Sequence, residues 1–112
     1  MQAQVITQFG KPTVFETVNV PVPQVVPNHV LIRVAATSVN PVDYKIRQGA
    51  VADIAPDFPG VLHGDVAGVV EVVGEGATRF QPGDEVYACA GGVKYMESVE
   101  YGMEKSYYTW LN

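Results

Sequence analysis

Residues 66–73, Val-Ala-Gly-Val-Val-Glu-Val-Val, constrain the fold more than any other stretch. β-Branched side chains crowd a helical turn but pack well on a pleated surface. A run so nearly apolar reads as a central strand, buried over most of its length. Gly68 within it signals a bulge or the close approach of another backbone. Gly74-Glu75-Gly76 ends the run. Gln81-Pro82-Gly83-Asp84 then places proline and glycine at the middle of a type II turn, and residues 85–90 return as a strand.

The same punctuation continues upstream. Eleven glycines and eight prolines fall between valine-rich runs, which favours many short strands over a helical bundle. Residues 3–9 and 13–20 read as a hairpin around Gly10-Lys11-Pro12. Prolines 21, 23 and 27 keep the next segment out of any sheet interior, so it reads as an extended connector. Residues 29–39 alternate, with Val30, Ile32, Val34 and Ala36 on one side and Arg33 and Thr37 on the other. That pattern predicts a strand with one buried face. Asn40-Pro41 breaks it. Residues 42–48 form a short helix, with Pro41 suited to its first position and Gly49 to the residue just past its end. Pro56 and Pro59 make residues 50–62 a loop.

At 112 residues the chain is one domain, and 47% hydrophobic content supports a real core. A net charge of −5 argues against nucleic acid and anionic membrane surfaces, which need clustered lysine and arginine. No apolar stretch is long enough to cross a bilayer, and no secretory leader is evident. Cys89 stands alone, which excludes an internal disulfide and a multi-cysteine zinc site, and a reducing cytoplasmic location is expected. Its small apolar neighbours suggest a packed thiol. Residues 93–112 permit two readings. Met96, Val99, Met103, Tyr107 and Trp110 recur as on an amphipathic helix, whereas Tyr107-Tyr108-Thr109-Trp110 has strand propensity.

Four segments in order carry a family likeness: residues 38–45, Ser-Val-Asn-Pro-Val-Asp-Tyr-Lys; residues 59–70, Pro-Gly-Val-Leu-His-Gly-Asp-Val-Ala-Gly-Val-Val; Val73-Gly74; and residues 80–86, Phe-Gln-Pro-Gly-Asp-Glu-Val. Together they resemble the medium-chain dehydrogenase/reductase superfamily, in its zinc-independent, quinone oxidoreductase-like branch. The resemblance covers residues 1–92, with a weaker echo at Glu100-Tyr101. It implies a mainly β fold with short helices, a GroES-like, partly open β-barrel forming the substrate-side domain. Residues 93–112 then form a divergent tail. Full-length members add a Rossmann domain with a glycine-rich pyrophosphate turn. The sequence lacks that domain, and Gly74-Glu75-Gly76 has neither a third glycine nor a following helix.

The resemblance also points to site residues. Asn40 stands where zinc alcohol dehydrogenases keep a cysteine ligand, and Gly64 where they keep a histidine. Glycine has no side chain to offer zinc, so no metal is expected. His63, one residue early, reads as a loop histidine, with a shifted ligand as the alternative. Val42 replaces a proton-relaying serine or threonine, which counts against alcohol oxidation. Val51 stands where enoyl-thioester reductases keep a tyrosine. Asn40, Asp43 and Tyr44 are the candidate catalytic residues, and Asn40 and Lys45 the candidate cofactor contacts. Asn40 would donate a hydrogen bond to developing oxyanion charge, and also suits a helix N-cap. Asp43 would hold the turn or a cofactor group. Asp65 reads as a loop stabiliser.

The implied function is reduction of an electron-poor quinone or enone with NADPH or NADH. Without a Rossmann half, the isolated chain is expected neither to bind the cofactor nor to turn over. Two alternatives stay open. One is a non-enzymatic binding or self-associating module that pairs through exposed strand edges; the other is a zinc-type alcohol dehydrogenase-like domain.

Overall fold

The computed structural model describes residues 1–89, together with the backbone of residues 106–111. Strands dominate: β1 (Gln2–Ile6), β2 (Phe15–Asn19), β3 (Val30–Thr37), β4 (Asp65–Val73), β5 (Glu85–Cys89) and β6 (Ser106–Leu111). One α-helix, α1 (Pro41–Gln48), follows β3, and short 3-10 turns occupy Pro12–Val14 and Ala52–Ile54. The strands form one open sheet in the order β2-β1-β6-β3-β4-β5, so β2 and β5 are its edges among the described residues. This is the mainly β, unclosed architecture expected.

β3 and β4 pair antiparallel along most of their length, and β5 continues the antiparallel ladder on β4. The register sets Gly68 opposite Val34, where a side chain has no room. A Cβ at Gly68 would lie 2.2 Å from the Arg33 carbonyl oxygen. The close approach expected of this glycine is thus real.

Two expectations about these strands need correction. Ala36 is exposed rather than on the buried face of β3. The register shifts between Val34 and Ala36, setting an extra residue of β3 against Gly68 and Ala67, and a bulge of this kind resets the alternation. β4 is not buried over most of its length but alternates: Val66, Gly68 and Val70 are buried while Glu71 and Val72 are exposed. The hairpin forms as expected but is shorter, with paired residues running from Gln2↔Asn19 to Ile6↔Phe15. Its far end is a loop carrying the Pro12–Val14 turn, because Pro12 supplies no ladder donor.

Residues 106–111 are a strand, parallel to β3 and antiparallel to β1. The strand propensity of Tyr107-Tyr108-Thr109-Trp110 prevails there. The rest of the proposed helical stripe, Met96, Val99 and Met103, lies outside the described residues, as do Glu100 and Tyr101.

Apolar side chains gather in two clusters. Val30, Ile32, Val34, Val66, Val70 and Ala77 form one on the β3–β4 pair. The other, Ile6, Val14, Ile46, Ala55 and Leu62, joins β1 to α1 and the loop after it. Ile46 is fully buried and seats the helix in this second cluster. Burial of such a side chain contributes about 1.5–3 kcal/mol. Gly49 ends the helix at φ 82, a left-handed conformation that glycine adopts freely. Arg47, also buried, donates to the Gly10 carbonyl, while the Gly10 N–H returns a bond of 2.7 Å to the Arg47 carbonyl. The helix is thereby clamped at its C-terminal end, and its N-terminal end is left to define a site.

Candidate functional site

That N-terminal end is built from local chemistry. Asn40 is extended, with φ −110 and ψ 160, as a residue before proline prefers to be, and Pro41 opens α1 without losing a bond. Asp43, in the first turn, reaches back and accepts the Asn40 backbone N–H at 2.6 Å. A carboxylate there also suits the positive end of the helix dipole. Asp43 is only 3% exposed, and its second oxygen accepts the backbone N–H of His63 at 3.1 Å. One buried carboxylate thus ties α1 to the loop leading into β4.

Asp65, the first residue of β4, is the second organising carboxylate. Its Oδ2 accepts the Asn40 side-chain amide at 2.6 Å and the Ser38 hydroxyl at 2.5 Å. The Thr37 hydroxyl donates to the Asp65 carbonyl at 2.7 Å, and Asn40 Nδ2 also approaches Ser38 Oγ at 3.4 Å. Hydrogen bonds from Ser38 and then Asn40 hold the Asp65 carboxyl below its ordinary pKa, since each favours the charged form.

Cys89, at the end of β5, is exposed, which corrects the expectation of a packed thiol. Partial desolvation and the charge of Asp65 raise its pKa, as does hydrogen bonding to that carboxylate.

His63 completes the group. Its backbone takes a left-handed φ of 71, and its ring stacks on Phe15 with centroids 6.1 Å apart and planes at 16°. Nδ1 lies 3.5 Å from Asp43 Oδ2, within ion-pair reach. The same nitrogen is buried and makes no aligned hydrogen bond. The two observations agree if the contact is long and poorly directed.

Of the residues expected to carry chemistry, Asn40 and Asp43 are brought together here. Tyr44 and Lys45 are exposed on α1 and take no part in this hydrogen-bonded cluster. Asn40 occupies the N-cap position, and its amide nitrogen already serves Asp65 and Ser38. An oxyanion would therefore compete with a carboxylate for it. Ser38, Asp65 and His63, which lie in the same motif segments, join the site as well, but the partners they meet across segments carry no local sequence signal.

Two implied groups can be tested against this geometry. No three His, Cys, Asp or Glu side chains among the described residues stand close enough to hold a metal ion. The pyrophosphate of a nicotinamide cofactor does not fit here either. The first turn of α1 is already served by the Asp43 carboxylate, whose charge repels phosphate.

An open β-sheet domain with one short capped helix, and a polar cluster where that helix meets β4, defines the class: a GroES-like domain of the alcohol dehydrogenase kind. Residues 26–109 match the alcohol dehydrogenase GroES-like domain. Pig quinone oxidoreductase is 42% identical over 92 residues, covering 78% of this chain and 26% of that protein. The chloroplastic NADPH-dependent alkenal/one oxidoreductase of Arabidopsis thaliana is also 42% identical, over 79% of this chain and 23% of its own length. Among solved structures, a cobalt- and zinc-bound thermostable alcohol dehydrogenase from Pyrobaculum aerophilum superposes with a TM-score of 0.70. It is 37% identical, covering 78% of this chain and 26% of that one. The chain belongs to the alcohol dehydrogenase GroES-like family, as an N-terminal domain of the quinone oxidoreductase-like branch of the medium-chain dehydrogenase/reductases. It spans about a quarter of the length of the curated relatives it matches.

Proposed function

We propose that this chain is the substrate-side domain of a zinc-free, NAD(P)H-dependent reductase of quinones or enones. The observation that carries the reading is the bond between Asn40 and Asp65. The side chain at the first metal-ligand position is an amide committed to a carboxylate, and Gly64 offers nothing at the second. The neighbouring relatives named for quinone and alkenal reduction favour the same acceptor class. No helix among the described residues is long and apolar enough to cross a membrane. A lone cysteine suits a reducing compartment, and several of the relatives are named as chloroplast proteins.

In this reading the domain orients the acceptor and shields it from water, while the nicotinamide is held mainly by another domain. Tyr44 and Lys45, exposed on α1, are then available to line a cleft. Calorimetric titration of the chain with NADPH and NADH checks the division of labour. No micromolar binding is expected, and micromolar binding would refute it. A chimera carrying this chain in place of the matching quarter of a quinone oxidoreductase tests the activity. Quinone reduction with NADPH and without added zinc supports the reading; a zinc requirement would replace it with the alcohol dehydrogenase-like alternative.

A second reading, a self-associating module, draws on one observation. Among the described residues β5 is a sheet edge, and its Tyr87 is 86% exposed. Unpaired edges invite another copy. Size-exclusion chromatography with light scattering distinguishes them, since a clean monomer removes this reading.

A further inference from the structure

His63 carries the unfinished bonding of the polar cluster. Its Nδ1 is shielded from solvent without an aligned partner, yet the side chain as a whole is 24% exposed. The exposed share of the ring therefore lies on its other atoms. A buried ring nitrogen left unpaired is unfavourable, because it loses its hydrogen bond to water and gains none in return. The oxygen facing it is Asp43 Oδ2 at 3.5 Å, and a carboxylate only accepts. That carboxylate is itself held by two backbone N–H groups, from Asn40 and His63. A small ring adjustment that directs Nδ1–H at Asp43 satisfies both groups. Neutral imidazole has one ring proton, so Nε2 then keeps its lone pair.

The surroundings keep the ring beside Asp43. Phe15 stacks on it, and the left-handed backbone at His63 is one that a residue with a side chain seldom adopts. Such conformations persist where neighbours over-determine them, and they concentrate at functional sites. Val39 and Val61, 72% and 50% exposed, lie on the two segments that Asp43 joins. Each places exposed apolar surface within two residues of the cluster in sequence. The cluster is poorly suited to an anion, because Asp43 and Asp65 both bring negative charge and the Asn40 amide is taken. It suits a donor.

We infer that His63 is the ligand-facing acceptor of this site, a hydrogen-bonding position for a phenolic or enolic hydroxyl, and that Asp43 is the positioning residue that sets its tautomer. The ligand class rests on the reductase reading, since a reduced quinone carries phenolic hydroxyls. The tautomer does not depend on it.

Long-range proton–nitrogen NMR of the labelled chain at mildly alkaline pH reads both imidazole nitrogens directly. The expected result is a protonated Nδ1 and a bare Nε2 at His63, with the Nε2 resonance moving as millimolar hydroquinone is added. In Asp43→Asn the tautomer shifts toward the Nε2-protonated form, as replacing an orienting carboxylate by an amide does elsewhere, and the hydroquinone response falls roughly tenfold. An Nε2-protonated His63 in the unmodified chain overturns the inference, and needs no variant to fold. The expected tautomer with an Nε2 indifferent to hydroquinone overturns the ligand assignment. Failure of the chimera to reduce quinone would instead strike at the reductase reading.

Discussion

Asn40 and Asp65 lie 25 residues apart in sequence, yet the amide of one donates to the carboxylate of the other at 2.6 Å. The bond closes the gap between the entrance of α1 and the start of β4, and Ser38 shares the same oxygen. Asp65→Asn leaves these donors facing a neutral, half-donating group. Unfolding in urea should show a loss of about 1 kcal/mol, at the low end for bonds to charged groups because the pair is partly solvated.

The same carboxylate makes stability depend on pH. Its folded pKa lies below the ordinary carboxylate value, so its contribution is complete above that value. It is lost as pH falls through the lower, folded value, where Asp65 takes up a proton. The stability difference between the unmodified chain and Asp65→Asn should therefore be constant from neutrality to mild acid and shrink only below about pH 4. Urea titrations across that range check it; a difference that collapses near neutrality contradicts it.

Cys89 reports on the same charge from the other side. Its raised pKa leaves less thiolate at neutral pH, and thiolate is the reactive form. Alkylation by iodoacetamide should be slower than for a free thiol despite the exposure of the residue. In Asp65→Asn it should speed up, by a few-fold. An unchanged rate would mean that Asp65 does not act on the thiol.

The reach of the sequence can be judged from these residues. α1 was legible because each of its boundaries has a local cause: Pro41 opens it and Gly49, at positive φ, closes it. Gly68 was legible because a glycine inside a valine run has few other uses. Ala36 was misassigned because a bulge depends on the partner strand, which no alternation pattern contains. Cys89 was misjudged because its neighbours in sequence are not its neighbours in space. Asn40 and Asp43 announced themselves by position. Asp65, Ser38 and His63 lie in the same motifs, but their bonds to Asn40 and Asp43 were not legible, since most of those contacts form only once distant segments have come together.

Gly68→Ala tests that pairing. Its new methyl would meet the Arg33 carbonyl at 2.2 Å, a backbone atom that cannot swing aside. β3 and β4 would have to part, at a cost of about 1–3 kcal/mol by the scale of overpacked cores. Ile46→Ala perturbs the helix side instead. It removes a fully buried side chain from the cluster with Ile6 and Leu62, and should cost about 2–5 kcal/mol. Chemical denaturation resolves both, and a neutral Gly68→Ala would mean the strands are less closely apposed than described.

Zinc gives the sharpest test of the branch assignment. A metal that binds only the folded chain raises its stability by about 2.7 kcal/mol at a hundredfold excess over its dissociation constant. Binding needs several donors in near-tetrahedral array, but Asn40 is an amide already bonded to Asp65 and Gly64 has no side chain to offer. His63 is turned toward Asp43, and Asp65 is occupied by Ser38 and Asn40. Recruiting them would break the bonds that shape the site. Thermal unfolding should thus be the same with micromolar zinc as with a chelator. A rise of several degrees on adding zinc, abolished in His63→Ala, would reassign the chain to the metal-dependent side of its family.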